Sequence, residues 1–90
     1  MLDQLRTTVR GYDLAWRRLD VGSPLIGQTL ADANLRAQTG ASVIVLIRDQ
    51  QVQPNPKSGT RFEPGDLIGL MGDAAQLAAV DRLLAATQSN

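Results

Sequence analysis

A single glycine separates a short helical pattern from the most apolar run of the chain, and this arrangement constrains the fold more than any other feature. Gly40 stands where a residue in the left-handed conformation commonly ends a helix. Ala41 to Ile47 is apolar except for Ser42 and is rich in valine and isoleucine. Such a run is typical of a central strand that is buried on both faces. We therefore predict a helix-to-strand unit against which the remaining elements pack.

The helix before this glycine has a recognisable start. Thr29 is a good N-cap, and Asp32 stands three residues later, which approximates a capping box with aspartate in place of the usual glutamate. We expect the helix to run over residues 30–39. One face of this helix carries the small side chains of Ala33 and Ala37, so it can lie close to a sheet or to a second copy of the chain.

The chain before this unit is predicted to contain a helix and a strand. Apolar residues recur at spacings of three and four over residues 1–14, which predicts a short amphipathic helix that leads into the domain or links it to another. Alternation then predicts a strand from Trp16 to Val21. Leu25 and Ile26 stand in the loop that follows, and we expect them to fold back onto the helix.

The chain after this unit is predicted to contain two more strands and a second helix. The pattern indicates a short polar strand at 51–53, a type II turn at Pro64-Gly65, a buried strand at 67–71 and a helix capped by Asp73 that ends near Ala86. The order β-α-β-β-β-α predicts an α+β fold, a small mostly antiparallel sheet covered by two helices. We assign residues 1–15 to the lead-in helix, 16–86 to the domain and 87–90 to a flexible tail.

The composition excludes most enzyme chemistry. The 90 residues include no cysteine and no histidine, so thiol catalysis, thiolate metal sites and the usual general base are missing. Nine basic and nine acidic residues balance, which gives no electrostatic case for nucleic-acid binding. No apolar run is long enough to cross a bilayer, and residues 1–11 have no signal-peptide core. We expect a protein that is not an enzyme, is cytoplasmic and does not insert into the membrane.

The charged residues give few candidates for a site. Four carboxylates stand in turns or at helix starts, where they have ordinary roles in turn bonding and capping: Asp49, Glu63, Asp66 and Asp73. No catalytic or metal-binding residue is therefore predicted. Arg36 has three interpretations: a surface residue of the helix, a partner of Asp32 in a salt bridge, or a guanidinium held for an anion such as a phosphate. Arg48 and Arg61 are weaker candidates for the same anion site.

Several short motifs in this order and spacing resemble the RCK-C domain, also called TrkA-C. The motifs are Leu25-Ile26-Gly27-Gln28-Thr29-Leu30, then Leu35-Arg36 through Thr39-Gly40, then Val43 to Arg48, then Pro54 and Pro56, and finally Pro64-Gly65-Asp66 with the strand beyond it. The resemblance covers about Trp16 to Leu84. It implies a dimeric regulatory domain that follows an RCK-N domain or attaches to the membrane part of potassium channels and cation/proton antiporters.

Some members of this family bind cyclic di-AMP in the cleft between two copies, and the resemblance implies candidate ligand residues here. Leu30, Arg36 and Ser42 match the positions that line the cleft, and Leu25 and Ile26 are expected to cover the bases. Two positions depart from the binders: Ser42 often corresponds to asparagine, and Gln51 corresponds to a histidine in some of them. The implied function is therefore ligand sensing in monovalent-cation transport, through cyclic di-AMP or another nucleotide. The alternative is a purely structural dimerisation module without a ligand.

Overall fold

The described residues fold into a five-stranded antiparallel sheet with helices on one face. The computed structural model describes residues 8–9 and 11–85. In our numbering the elements are β1 (Thr8–Val9), β2 (Tyr12–Arg18), α1 (Leu30–Ala33), α2 (Leu35–Thr39), β3 (Ser42–Arg48), β4 (Gln51–Pro54), β5 (Leu67–Gly72) and α3 (Ala74–Ala85). The strand order is β1-β2-β5-β3-β4, and every pairing is antiparallel. The predicted α+β architecture is confirmed, and from β2 onward the elements follow the predicted order β-α-β-β-β-α, with the first helix divided into α1 and α2.

The hydrophobic core lies between the sheet and the helices. Its fully buried members include Leu46, Ile68 and Leu70 from the strands and Val80 from α3. Loop residues complete it, above all Phe62, which is 1% exposed. Within the described residues, no helix is long and apolar enough to span a bilayer.

The opposite face of the sheet is apolar, and no element among the described residues covers it, which corrects the prediction that β3 is buried on both sides. The side chains of Trp16 and Val45 both lie over Gly69 on this face. A Cβ added at Gly69 would stand 3.1 Å from Trp16 and 2.4 Å from Val45. Trp16 is 42% exposed and Val52, on the edge strand β4, is 61% exposed. Each strand alternates its side chains between faces, so one layer of helices covers only half of them. We call this surface the open face; its members in β2, β3, β4 and β5 are Leu14, Trp16, Val45, Ile47, Val52, Leu67 and Met71.

The predictions for the N-terminal part of the chain are wrong where the structure describes it. Residues predicted as the end of a helix form β1 and the beginning of β2, a hairpin in which Val9 pairs with Tyr12. The strand predicted over 16–21 lies earlier, at Tyr12–Arg18, because six pairs with β5 fix its register. Val21 is consequently an exposed turn residue. Residues 1–7, Arg10 and 86–90 lie outside the described residues, so the rest of the lead-in helix and the tail stay predictions.

The first helix is present with its predicted cap but is broken in two. The Thr29 side chain accepts a hydrogen bond from the Asp32 amide at 3.1 Å, as a capping residue should. Asn34 then adopts a left-handed conformation with φ 50° and ψ 44°, and the chain restarts as α2. Asparagine tolerates this region better than most residues do. The break gives Leu35 and Arg36 a separate short helix that leads directly into β3.

A buried ion pair joins the end of β3 to the turn before β5. Asp66 is 0% exposed, and its carboxylate accepts hydrogen bonds from Arg48 Nε at 2.8 Å and Nη2 at 2.7 Å. The Glu63 amide donates to the same carboxylate at 2.8 Å. Gly65 has φ +90°, and the Asp66 amide donates to the Glu63 carbonyl, as the predicted type II turn requires. Burial opposes ionisation of Asp66, but the hydrogen bonds from Arg48 and the Glu63 amide outweigh it and lower its pKa.

We expect Gly40→Val to destabilise the fold by at least about 1–2 kcal/mol, because Gly40 has φ +86° as predicted and a β-branched residue resists this conformation. An added Cβ would also stand 2.6 Å from Gln76 Nε2. Urea unfolding measures the loss. Gly59→Val is the matched control, because a Cβ there meets nothing within 4 Å and the backbone is not left-handed. Equal stability of the two variants would contradict the prediction.

Candidate functional site

Arg36 presents its guanidinium beside the end of the sheet, without a side-chain partner among the described residues. It belongs to α2, whose last residue Thr39 is followed by the Gly40 C-cap and by Ser42, the first residue of β3. Arg36 is exposed, and among the described residues its side chain forms no ion pair, either with Asp32 or with another carboxylate. The salt-bridge interpretation of Arg36 is therefore wrong for this structure. Its five N–H donors are available to a ligand.

Two adjacent grooves meet at Arg36 and Ser42, which line both of them. The larger, of about 340 Å³, adds Tyr12, Gly40, Ile44, Met71 and Gln76, and we call it the tyrosine groove. The smaller, of about 200 Å³, adds Leu30, Ala31, Asn34, Leu35 and Val43, and we call it the leucine groove. The Arg36 guanidinium and the Ser42 hydroxyl thus lie between two partly apolar grooves. This arrangement can hold an anion at its centre and apolar groups on either side.

The sheet register explains why the tyrosine groove forms at this place. Met71 pairs with Leu14 on one side and with Ser42 on the other, so these three residues lie in one row across the sheet. A β-bulge between Val43 and Val45 inserts Ile44 as an extra residue next to this row. The bulge is held in place because the Ile44 carbonyl accepts a hydrogen bond from the Asn55 amide at 2.8 Å. The tyrosine groove therefore opens at the end of the open face.

The structure brings together only part of the set of predicted ligand residues. Leu30, Arg36 and Ser42 all line the leucine groove. Leu25 is 2% exposed and belongs to the core, so it is not available to cover a base. Ile26 is half-buried and packs against the core.

The two weaker arginine candidates have structural roles. Arg48 is engaged by Asp66, by Glu63 at 3.3 Å and by the Arg61 carbonyl at 2.8 Å. These contacts raise the pKa of Arg48, through the hydrogen bond to Asp66 above all, against the opposing effect of burial. Arg61 donates to the Gly27 carbonyl. Arg36 is the one candidate of the three that stays free of such contacts in the described structure.

Sequence reasoning missed the residues that make the larger groove. Tyr12 was assigned to a helix, and Met71 and Ile44 to buried strands, although Tyr12 is 46% and Met71 41% exposed. Gln76 forms a reciprocal capping pair with Asp73, in which each residue donates its backbone N–H to the other's side chain at 2.8 Å. The sequence Asp73-x-x-Gln76 carried that signal. No comparable local signal places Tyr12 near Arg36.

The fold and the site together define a two-layer α+β domain with an arginine-centred groove at one end of its sheet. A family model described as the TrkA-C domain matches residues 14–85. The chain belongs to the TrkA-C, or RCK-C, family.

Curated relatives carry this domain within longer proteins. The chain is 37% identical over 68 residues to the Ktr system potassium uptake protein A of Vibrio alginolyticus, covering 76% of this chain and 31% of that protein. It is 28% identical over 82 residues to the uncharacterized protein YrvC of Bacillus subtilis, covering 90% of this chain and 50% of that protein. The chain thus spans half or less of the relatives that it matches.

Solved structures share the fold. The RCK C domain of the potassium transport protein KtrA, in complex with cyclic di-AMP, superposes with a TM-score of 0.75 at 22% identity and covers 90% of this chain and 92% of that one. The RCK_C domain dimer of Streptococcus agalactiae BusR, also in complex with cyclic di-AMP, gives a TM-score of 0.73 at 21% identity and covers 79% and 93%. These two likenesses establish the α+β fold of a small antiparallel sheet with helices on one face.

Proposed function

We propose that this chain is the cytoplasmic regulatory domain of a monovalent-cation transport protein, and that it binds cyclic di-AMP or a related nucleotide between two copies. The observation that carries the proposal is the position of Arg36 between two partly apolar grooves, with a guanidinium that no described residue engages. A planar guanidinium matches phosphate oxygens, and the grooves offer apolar walls on both sides of it. The ligand would act by favouring one arrangement of the two copies, through its differential affinity for that arrangement.

The names of related proteins support the transport assignment. Besides the Ktr uptake protein, the chain is 30% identical over 66 residues to probable potassium channel protein 2 of Methanocaldococcus jannaschii. The partner within the parent protein would be a membrane transport domain or an RCK-N domain. The domain itself would neither catalyse a reaction nor bind nucleic acid. The ligand residues carried forward are Ile26, Leu30, Arg36 and Ser42, and Leu25 is withdrawn because it is buried.

A homodimer is part of the proposal, and the open face is the surface that a second copy would cover. A chain of about 90 residues buries only roughly 60–65% of its unfolded surface, so a further apolar interface adds stability that it needs. The open face ends at Ser42 and Met71, which also line the tyrosine groove. Two copies that meet over this face would therefore place their arginines at the edge of the shared interface.

The dimer is tested by sedimentation velocity on the wild type and on two single variants. We expect wild-type dimers at high micromolar concentration and a monomer for Val52→Glu, because a buried unpaired carboxylate is costly. Val21→Glu is the matched control, since Val21 is 81% exposed in a turn outside the open face. A monomeric wild type would contradict the homodimer, and dissociation by both variants would contradict the assignment of the face.

The ligand is tested by calorimetric titration of the wild type with cyclic di-AMP at fixed salt. One nucleotide for each two chains is the expected stoichiometry, because the proposed cleft lies between copies. The absence of heat at high micromolar nucleotide would favour the alternative, a purely structural dimerisation module. A stable dimer without binding would identify that alternative directly.

A further inference from the structure

The tyrosine groove has the chemistry of a site for a planar heteroaromatic ring. It combines an aromatic ring at Tyr12, an aliphatic side chain at Ile44 and a thioether at Met71. Aromatic side chains and methionine sulfur both contact planar rings favourably. At about 340 Å³ the groove lies at the lower end of the range for small-molecule sites, roughly 300–1,000 Å³. It therefore suits one ring system with its attached group better than an entire dinucleotide.

The polar atoms of the groove lie where such a ring would need them. Gln76 Oε1 accepts from the Asp73 amide at 2.8 Å, which fixes the side-chain amide and leaves its NH2 group beside Gly40. Gly40 has no side chain, so the Gln76 amide can lie directly against it; a Cβ there would stand 2.6 Å from Gln76 Nε2. The Gln76 NH2 can donate to an acceptor nitrogen or oxygen at the edge of a ring. Arg36 stands at the boundary of the groove, within the set of residues that lines it.

We infer that Tyr12 is a ligand-binding residue that stacks on a base of the bound nucleotide, while the Gln76 amide donates to the edge of that base. The inference rests on the proposed function, because it takes the phosphate to lie at Arg36. It extends the proposed binding site from the leucine groove into the tyrosine groove. Stacking on an aromatic side chain accepts every base, and the directed amide of Gln76 supplies the preference. A nucleotide would then extend from the leucine groove past Arg36 onto Tyr12.

The first test is a calorimetric titration of cyclic di-AMP into the wild type, Tyr12→Leu and Tyr12→Phe. Loss of the ring in Tyr12→Leu is expected to weaken binding by about tenfold, the order of effect for loss of base stacking. Tyr12→Phe keeps the ring and is expected to bind within about twofold of the wild type. Circular dichroism verifies that both variants are folded; Tyr12 is 46% exposed, so its replacement creates no cavity in the core.

The second test needs no variant. Tyr12 is the only tyrosine of the chain, so its ring protons give one assignable set of NMR signals. Stacking of a base is expected to move these signals upfield as cyclic di-AMP is added. Wild-type binding with unmoved Tyr12 signals and an unweakened Tyr12→Leu would overturn the inference and leave the proposed function intact. A wild type that binds no cyclic di-AMP would overturn both.

Discussion

Asp66→Ala is expected to cost on the order of 3 kcal/mol of folding free energy. The substitution removes the buried carboxylate that receives two hydrogen bonds from Arg48 and one from the Glu63 amide. Breaking a buried pair from one side leaves the partner without compensation, which costs roughly 3–5 kcal/mol in comparable cases. The side chain of Arg48 is 24% exposed and keeps its contact with Glu63, which places the expected loss at the lower limit. In a domain of this size the melting temperature should fall by roughly 15 °C.

Thermal and urea unfolding of Asp66→Ala, Asp66→Asn and Asp81→Ala measure this effect. Asparagine keeps one oxygen but turns an NH2 group toward the guanidinium, so we expect it to restore only part of the stability. Asp81 is the matched control, because its ion pair with Arg17 at 2.6 Å lies on the surface. The Arg17 side chain is 33% exposed and the Asp81 side chain 50%. Exposed pairs of this kind contribute about 0–1 kcal/mol. Equal losses for Asp66→Ala and Asp81→Ala would contradict the role of the buried pair.

The same pair makes stability depend on pH in a defined direction. The pKa of Asp66 is lowered in the folded chain, so its contribution is fully present above the ordinary carboxyl pKa of about 4 and is lost as the pH falls through the lower folded value. The hydrogen bond from Arg17 lowers the pKa of Asp81 in the same direction. Acid should therefore destabilise the wild type below about pH 4. The loss between pH 7 and pH 3 should be smaller in Asp66→Ala.

Local chemistry made the caps and turns of this fold predictable. Thr29, Gly40 and Gly65 adopt the predicted conformations because each is determined by backbone geometry within a few residues. The break at Asn34 was not predictable in the same way, because asparagine fits either a helix or a left-handed turn. The N-terminal pattern was misleading for a related reason. Val9 and Tyr12 are three residues apart, which is a helical spacing, but two residues at this separation can also face each other across a tight hairpin, as they do here.

The larger half of the candidate site depends on tertiary structure alone. Arg36 and Ser42 are close in the sequence, so a short helix and a strand predict their proximity. Tyr12 reaches the same groove only because β5 lies between β2 and β3 in the sheet. The pattern of apolar residues does not specify this strand order. The burial of Leu25 has the same origin, since the core cluster to which it belongs includes residues far along the chain, such as Phe62 and Val80.

Arg36→Ala is expected to weaken the binding of cyclic di-AMP by about tenfold to a hundredfold. A charge-assisted hydrogen bond to phosphate contributes roughly 1.5–3 kcal/mol, and each 1.4 kcal/mol changes the dissociation constant tenfold. The fold should not change, because Arg36 is exposed and makes no side-chain ion pair among the described residues. Lysine at this position should recover only part of the affinity, since it brings the charge without the planar fork.

Calorimetric titration of the wild type, Arg36→Ala, Arg36→Lys and Arg82→Ala at one salt concentration separates a specific contact from a general effect of charge. Arg82 is the matched control, an exposed arginine on α3 that lines neither groove. Removal of a distant surface charge should change affinity by less than about twofold at physiological ionic strength, where the screening length is about 8 Å. Equal affinity with and without Arg36 would exclude it as the phosphate contact. Equal weakening by Arg36→Ala and Arg82→Ala would reduce its role to net charge, whereas loss confined to Arg36 places the phosphate between the two grooves.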